Sequence, residues 1–153
     1  LRIELGDPEG AEKEYRGILE EYAIPRVYLS LVALLKEQER KEDALQMLSD
    51  GLSEVPDDPD LILASARLVE PEEGWKLLNQ AIAVQGRSFD LWFERARVAC
   101  LRKDPEEAAF SMDRCVQLDA DRARVAWTSE LSSEGSPTTP YADHPYLVDF
   151  RAD

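Results

Sequence analysis

The chain carries apolar residues at spacings of three and four along most of its length, and short polar breaks interrupt them. Such spacing places the apolar side chains on one face of an α-helix. The windows 25–58 and 89–122 each hold two of these runs with a polar turn between them. Each window therefore predicts a pair of amphipathic helices.

The two windows carry the same classes of residue at nearly every apolar position. In the first helix of each, an aromatic residue is followed four positions later by a slim one. In the second helix an alanine comes first, a bulkier residue follows four later, and a small one three after that. Small residues let helix backbones approach closely, while the aromatic ring fills the gap between neighbouring pairs. These positions are Tyr28, Val32, Ala44, Leu48 and Gly51 in one window, and Trp92, Ala96, Ala108, Met112 and Cys115 in the other.

This pattern resembles the tetratricopeptide repeat (TPR), a family of helix-hairpin repeats. The resemblance also includes Leu31 and Pro56. It departs from the family pattern at three positions, where leucine, glycine and proline are expected: Arg95, Val32 and Ala120. It implies an all-α fold, a right-handed α-α solenoid of helix hairpins with a closing helix and an extended C-terminal tail. The implied repeat domain covers 1–134, divided into a partial copy at 1–24, full copies at 25–58 and 89–122, a shortened copy at 59–88 and a closing helix at 123–134.

Helix starts are marked independently of the repeat. A capping carboxylate followed by proline at the first helical position is a strong start signal. Such pairs occur at Asp7-Pro8, Asp58-Pro59 and Asp104-Pro105, each where the repeat pattern requires a helix to begin. Glu107 follows Asp104 by three residues, which predicts a capping box.

The C-terminal segment 135–153 has a different character. Its first six residues are Gly, Ser, Pro and Thr, which do not form helix. The stretch 141–150 is aromatic and apolar, so we expect it to pack on something. Either it occupies the concave surface that repeat solenoids form from the first helix of each pair, in its own or a neighbouring molecule, or it caps the last helix, as terminal repeats require.

Charge narrows the choice of partner. With 32 acidic against 18 basic residues, the formal net charge is −14, so nucleic acid and anionic membranes are poor partners. No apolar run approaches the roughly 20 residues that span a bilayer, and no signal peptide is visible, which favours a soluble, cytoplasmic protein. Because the chain begins at Leu1 without Met, we interpret it as a piece of a longer protein.

Catalytic chemistry finds little support. His144 is the only histidine and lies in the tail, while Cys100 and Cys115 are too few for a disulfide framework or a zinc site. Paired carboxylates such as Glu72-Glu73 and Glu106-Glu107 each lie at a predicted helix start, where capping explains them better than acid–base catalysis. We therefore predict no enzyme activity, no cofactor and no metal.

The resemblance implies a binding groove lined by the first helix of each pair, which points to a scaffold or adaptor for a protein or peptide. An acidic partner with apolar anchors would suit the arginines there. Alternatively, Arg67 and Arg97 pair with Asp60, Asp90 or Glu94 and only keep the face soluble. The family's carboxylate clamp is not matched, since Ala33 replaces its asparagine. A structural or oligomerising segment of a longer protein is the second hypothesis, and an enzyme is less favoured. The predicted groove residues are Arg26, Leu29, Ala33, Lys36, Leu63, Arg67, Phe93, Arg97 and Trp127.

Overall fold

The computed structural model describes residues 7–132, and this part of the chain consists of α-helices joined by short turns. The all-α prediction is confirmed. The helices are α1 Pro8–Glu21, α2 Pro25–Glu37, α3 Lys41–Glu54, α4 Pro59–Leu68, α5 Pro71–Val84, α6 Phe89–Leu101, α7 Pro105–Leu118 and α8 Ala120–Ser132.

Three of the helix starts follow directly from the aspartate–proline pairs. The carboxylates of Asp7, Asp58 and Asp104 accept hydrogen bonds from the backbone N–H groups of Gly10, Leu61 and Glu107, at 3.0, 3.0 and 3.2 Å. Each bond satisfies one of the backbone donors that the first turn of a helix leaves without a partner. The predicted starts of α1, α4 and α7 are therefore confirmed.

The predicted capping box at Asp104 is only half formed. The Asp104 N–H donates to the carbonyl of Ala99 at 2.9 Å, so it does not need the carboxylate of Glu107. That carboxylate accepts a hydrogen bond from Arg95 instead. Sequence spacing alone indicates the full box, since it does not show that the Asp104 N–H is already bonded to a carbonyl of α6.

The turns between α2 and α3 and between α6 and α7 have the same conformation. Glu39 and Lys103 stand at matching positions of the two windows, and both have positive φ, 59° and 58°. The next residue in each turn donates its backbone N–H to a carbonyl of the preceding helix. Arg40 donates to Leu35, and Asp104 donates to Ala99. The internal repeat therefore extends to the backbone of the turn.

The chain divides into two compact units, Leu1–Val69 and Glu70–Asp153. In the first unit, α2 packs on α1, α3 and α4. Gly51 brings α3 close to α2 and α4, since a Cβ there would lie 3.1 Å from the ring of Tyr28 and 3.3 Å from Leu61. The buried core of this unit consists of Tyr28, Leu31, Val32, Leu35, Ala44, Leu48 and Leu61.

In the second unit, α6 packs on α5 and α7, and α8 packs on α7. The indole N–H of Trp92 donates to the carbonyl of Gly86 at 2.8 Å, which fixes the large ring within the core. The buried core consists of Phe89, Trp92, Ala96, Ala99, Cys100, Ala108, Met112, Cys115, Ala123 and Trp127.

The closing helix starts earlier than the pattern indicated. α8 begins at Ala120 rather than at Ala123, because the carboxylate of Asp119 accepts a hydrogen bond from the N–H of Arg122 at 3.1 Å and caps the helix there. The tail at 135–153, including His144, lies outside the described residues, as do residues 1–6. None of the helices within 7–132 combines the length and apolar character that crossing a lipid bilayer requires.

Candidate functional site

Four of the predicted groove residues lie on one side of α2 in the first unit. Arg26, Leu29, Ala33 and Lys36 are separated by three, four and three positions, which keeps them on a single helical face. Arg26, Ala33 and Lys36 are exposed, while Leu29 is half-buried against the core. Arg26 and Lys36 form no hydrogen bond or ion pair with any residue in the range 7–132.

Two further predicted residues lie on α4, which contacts α2 within the same unit. Leu63 is half-buried and Arg67 is exposed, one helical turn apart. Both helices are the first of their pair, as the prediction requires. We call these six residues, on two contacting helices, the α2–α4 face: Arg26, Leu29, Ala33, Lys36, Leu63 and Arg67.

In the second unit, Arg97 forms an ion pair with another residue of its own helix. Its guanidinium lies 2.6 Å from the carboxylate of Glu94 in an ion pair, and Glu94 is only 1% exposed. A buried carboxylate requires a compensating charge, so Arg97 stabilises the unit whatever else it does. Phe93 stacks on Phe89 with ring centroids 6.1 Å apart and is half-buried. Asp90 pairs with Arg122 rather than with Arg97.

Trp127 does not lie on a binding surface, so its assignment to the groove is wrong. The side chain is 0% exposed and belongs to the core of the second unit. Its helix packs on α7, so the indole fills the space between that helix and the core. The prediction failed because periodicity alone does not determine which face of a closing helix meets its neighbour.

The arginine that stands at a leucine position of the repeat, Arg95, is a polar centre of the second unit that the predicted groove residues do not include. Arg95 on α6 is 8% exposed. Its guanidinium donates to Asn79 on α5 at 2.8 Å, and to Ser111 and Glu107 on α7 at 2.7 and 3.0 Å. It also lies 4.1 Å from the ring centroid of Trp75. One buried side chain thus connects three helices of the second unit through charge-assisted bonds.

An open cleft of about 600 Å³ runs along α1 in the first unit. Within it, the carboxylate of Glu12 accepts hydrogen bonds from Arg40 at 2.5 Å and from Arg16 at 3.3 Å. The hydrogen bond from Arg40 lowers the pKa of Glu12 most, and Arg16 adds to the effect. The cleft is lined by three acidic and three basic residues, so it has no net preference for anions or cations: Glu9, Glu12, Lys13, Arg16, Glu20 and Arg40.

The described part of the chain contains neither a cluster of metal ligands nor an activated Cys115 thiol. No group of three or more His, Cys, Asp or Glu side chains within 7–132 could hold a metal ion. Cys100 and Cys115 are both buried, and the described part of the chain contains no disulfide bond between them. Burial raises the pKa of Cys115 to about 12, which keeps it in the unreactive thiol form.

No protein-family model and no curated protein sequence matches the chain. Solved structures do match it. MamA covers 99% of the chain over 93% of its own length, with 14% identity and a TM-score of 0.68. A MamA structure from Desulfovibrio magneticus RS-1 covers 96% of the chain over 83% of its own length, with 12% identity and a TM-score of 0.69. YrrB, a TPR protein with an unusual peptide-binding site, covers 97% over 86% of its own length, with 16% identity and a TM-score of 0.59.

These likenesses establish the fold. Helix hairpins repeat along the described chain, and they match structures of TPR proteins over nearly the whole of its length. The chain therefore has a TPR-like, all-α fold, as the resemblance in the sequence predicted.

Proposed function

We propose that this chain is a protein-interaction scaffold that binds an extended, acidic segment of another protein on the α2–α4 face, and that it catalyses no reaction. One observation carries the proposal. Arg26 and Lys36 are exposed cations on one helical face, and neither has a polar partner within residues 7–132. In a chain with a net charge of −14, two uncompensated cations beside apolar side chains favour a ligand that supplies carboxylates.

The spacing of the two cations defines the ligand. Arg26 and Lys36 are ten positions apart on α2, which corresponds to about 15 Å along the helix axis. An extended peptide rises about 3.3 Å per residue, so two carboxylates four or five residues apart reach both cations. Leu29 and Leu63, both half-buried, offer apolar contacts for an aliphatic side chain between those carboxylates.

The likeness to YrrB supports the proposed class of function, since YrrB is a TPR protein with a peptide-binding site. Extended segments bind such surfaces through a few anchor side chains, and their specificity comes from the spacing of the anchors. The residues Phe93 and Arg97 of α6 are excluded from the proposed site. Arg97 compensates Glu94, and Phe93 lies in the other unit.

A fluorescein-labelled peptide, Gly-Glu-Ala-Leu-Ala-Glu-Gly, tests the proposal by fluorescence anisotropy with the full chain. We expect saturable binding that weakens about tenfold or more in the variant Arg26→Glu/Lys36→Glu, because two attractions become repulsions. A peptide with both Glu replaced by Gln should bind equally weakly to wild type.

The matched control is Lys41→Glu/Arg87→Glu, which changes the net charge by the same amount at two other exposed positions. We expect this control to retain most of the affinity. If it loses as much affinity as the test variant, binding follows the overall charge, and the α2–α4 face is not the site. If wild type shows no saturable binding, the proposal is wrong. Far-UV circular dichroism confirms that each variant is folded.

A further inference from the structure

A second surface, in the other unit, carries two aromatic rings that are not fully buried, Phe110 and Trp75. Phe110 on α7 is 48% exposed, although its ring touches Trp92 edge-on at 5.9 Å. Trp75 on α5 is half-buried beside the same core. Both α5 and α7 pack on α6, which lies between them in the sequence.

Guanidinium groups lie against both rings. Arg102 is 4.3 Å from the ring centroid of Trp75, and Arg114 is 5.5 Å from that of Phe110. Arg95 lies within cation–π distance of both, at 4.1 Å from Trp75 and 5.8 Å from Phe110. The two rings and three guanidiniums therefore form one continuous cluster. We call it the α5–α7 face, with Trp75, Arg102, Phe110 and Arg114 at its surface and Arg95 as its floor.

The floor is rigid. Arg95 is held by Asn79, Ser111 and Glu107, so α5 and α7 are fixed to one buried group. A surface whose side chains are ordered before binding loses little conformational entropy when a partner arrives. Tryptophan, other aromatic residues and arginine are the types in which the binding energy of protein interfaces concentrates.

The matching positions of the first unit show that the repeat itself does not require these residues. Gln46 and Asp50 occupy the places of Phe110 and Arg114, and the Gln46 amide donates to the Asp50 carboxylate at 2.9 Å. A polar pair therefore suffices for the same framework. The second unit instead exposes a phenyl ring with a guanidinium beside it.

Charge identifies the chemistry of a partner. Arg114 is exposed, and within residues 7–132 its guanidinium bonds only the neutral amide of Gln117, at 3.2 Å. Arg102 pairs with Glu72, whose side chain is 69% exposed and well hydrated. An exposed guanidinium without a carboxylate, next to an exposed ring, complements a segment that carries both groups.

We propose that the α5–α7 face is a second docking surface, for an acidic protein segment in which a carboxylate stands next to an aromatic side chain. The aromatic side chain packs on Phe110 and Trp75, and the carboxylate pairs with Arg114. The proposal does not depend on the function of the α2–α4 face, because the two surfaces share no residue.

The probe is a fluorescein-labelled peptide, Gly-Ser-Glu-Phe-Glu-Gly-Ser, titrated with the full chain. The test variant is Phe110→Gln/Arg114→Asp, which installs the pair that the first unit already accommodates and should therefore fold. We expect saturable binding to wild type and at least tenfold weaker binding to this variant. Replacing Phe by Ala in the probe, or both Glu by Gln, should weaken binding to wild type similarly.

The variant Arg26→Glu/Lys36→Glu separates the two proposals, and we expect it to bind this probe as wild type does. Equal losses in both variants would mean that the peptide senses only overall charge, which overturns the proposal. Unchanged affinity in Phe110→Gln/Arg114→Asp, or no saturable binding to wild type, also overturns it. In the supporting case, amide chemical-shift changes on adding the peptide should concentrate in α5 and α7.

Discussion

Replacing Arg95 by leucine, the residue that the repeat pattern expects there, should destabilise the protein. The change leaves the side-chain amide oxygen of Asn79 and the Ser111 hydroxyl without their donor, and Ser111 is 0% exposed. A buried polar group without a partner costs about 1–3 kcal/mol. We assign about 2 kcal/mol to Ser111 and about 1 kcal/mol to Asn79, which is only half-buried.

Two further losses and one gain complete the balance. The cation–π contact with Trp75 contributes about 1 kcal/mol, and the ion pair with Glu107, whose side chain is 41% exposed, contributes less than about 1 kcal/mol. Burying leucine returns about 1.5 kcal/mol. The expected net loss for Arg95→Leu is therefore about 3 kcal/mol in the free energy of unfolding.

Urea denaturation followed by far-UV circular dichroism measures this loss. The control is Arg114→Leu, which removes an exposed guanidinium over Phe110 and should cost less than about 1 kcal/mol. A second variant, Arg95→Leu/Ser111→Met, copies the pair Leu31 and Met47 from the matching positions of the first unit. It should recover at least about half of the loss, since position 111 then carries no buried hydroxyl that has lost its partner. If Arg95→Leu costs no more than Arg114→Leu, the buried network does not stabilise the fold.

Three other predictions test separate features. Gly17→Ala should raise the free energy of unfolding by about 0.5–1 kcal/mol, because the added Cβ would meet nothing within 4 Å apart from its chain neighbours and the backbone of its own helix. Gly51→Ala should gain less, because its Cβ would lie 3.1 Å from the ring of Tyr28, and equal gains in urea denaturation would contradict this. Because the pKa of Glu12 is lowered in the folded state, its carboxylate stabilises the fold above pH 4.5, and this stability is lost as the pH falls through the folded pKa. In Glu12→Gln, the free energy of unfolding should therefore decrease less steeply on acidification, as urea denaturation at several pH values would measure. An unchanged slope would refute this. Cys115 should resist iodoacetamide at mildly alkaline pH until the protein unfolds, as peptide mass spectrometry would show; labelling at the rate of an exposed thiol would contradict its burial.

The elements that the sequence predicted well depend on local chemistry. Capping by Asp7, Asp58 and Asp104 is decided within one helical turn, so the starts of three helices could be read directly. The packing of Tyr28 and Trp92 followed from the repetition of large and small residues, since matching windows bury matching positions.

The features of the site that the sequence did not reveal depend on which residues are buried and which helix faces meet. The pairing of Arg97 with Glu94, three positions earlier, was among the alternatives, but sequence spacing did not show that Glu94 is buried. The environment of Arg95 requires side chains from α5 and α7 to converge on α6, which no periodicity in a single helix reveals. The burial of Trp127 likewise depends on which face of α8 meets α7, and the sequence of α8 alone does not show this.

The left-handed turn residues Glu39 and Lys103 have a consequence for folding kinetics. Each turn returns its chain within a few residues, so the contacts of a hairpin join positions that are close in sequence, such as Arg95 and Ser111 at a separation of 16. Chains dominated by short-range contacts fold rapidly, and repeat hairpins nucleate locally before their neighbours join. During synthesis, the α2–α3 hairpin can therefore form while the second unit is still being translated, which shortens the time its apolar faces remain exposed to aggregation.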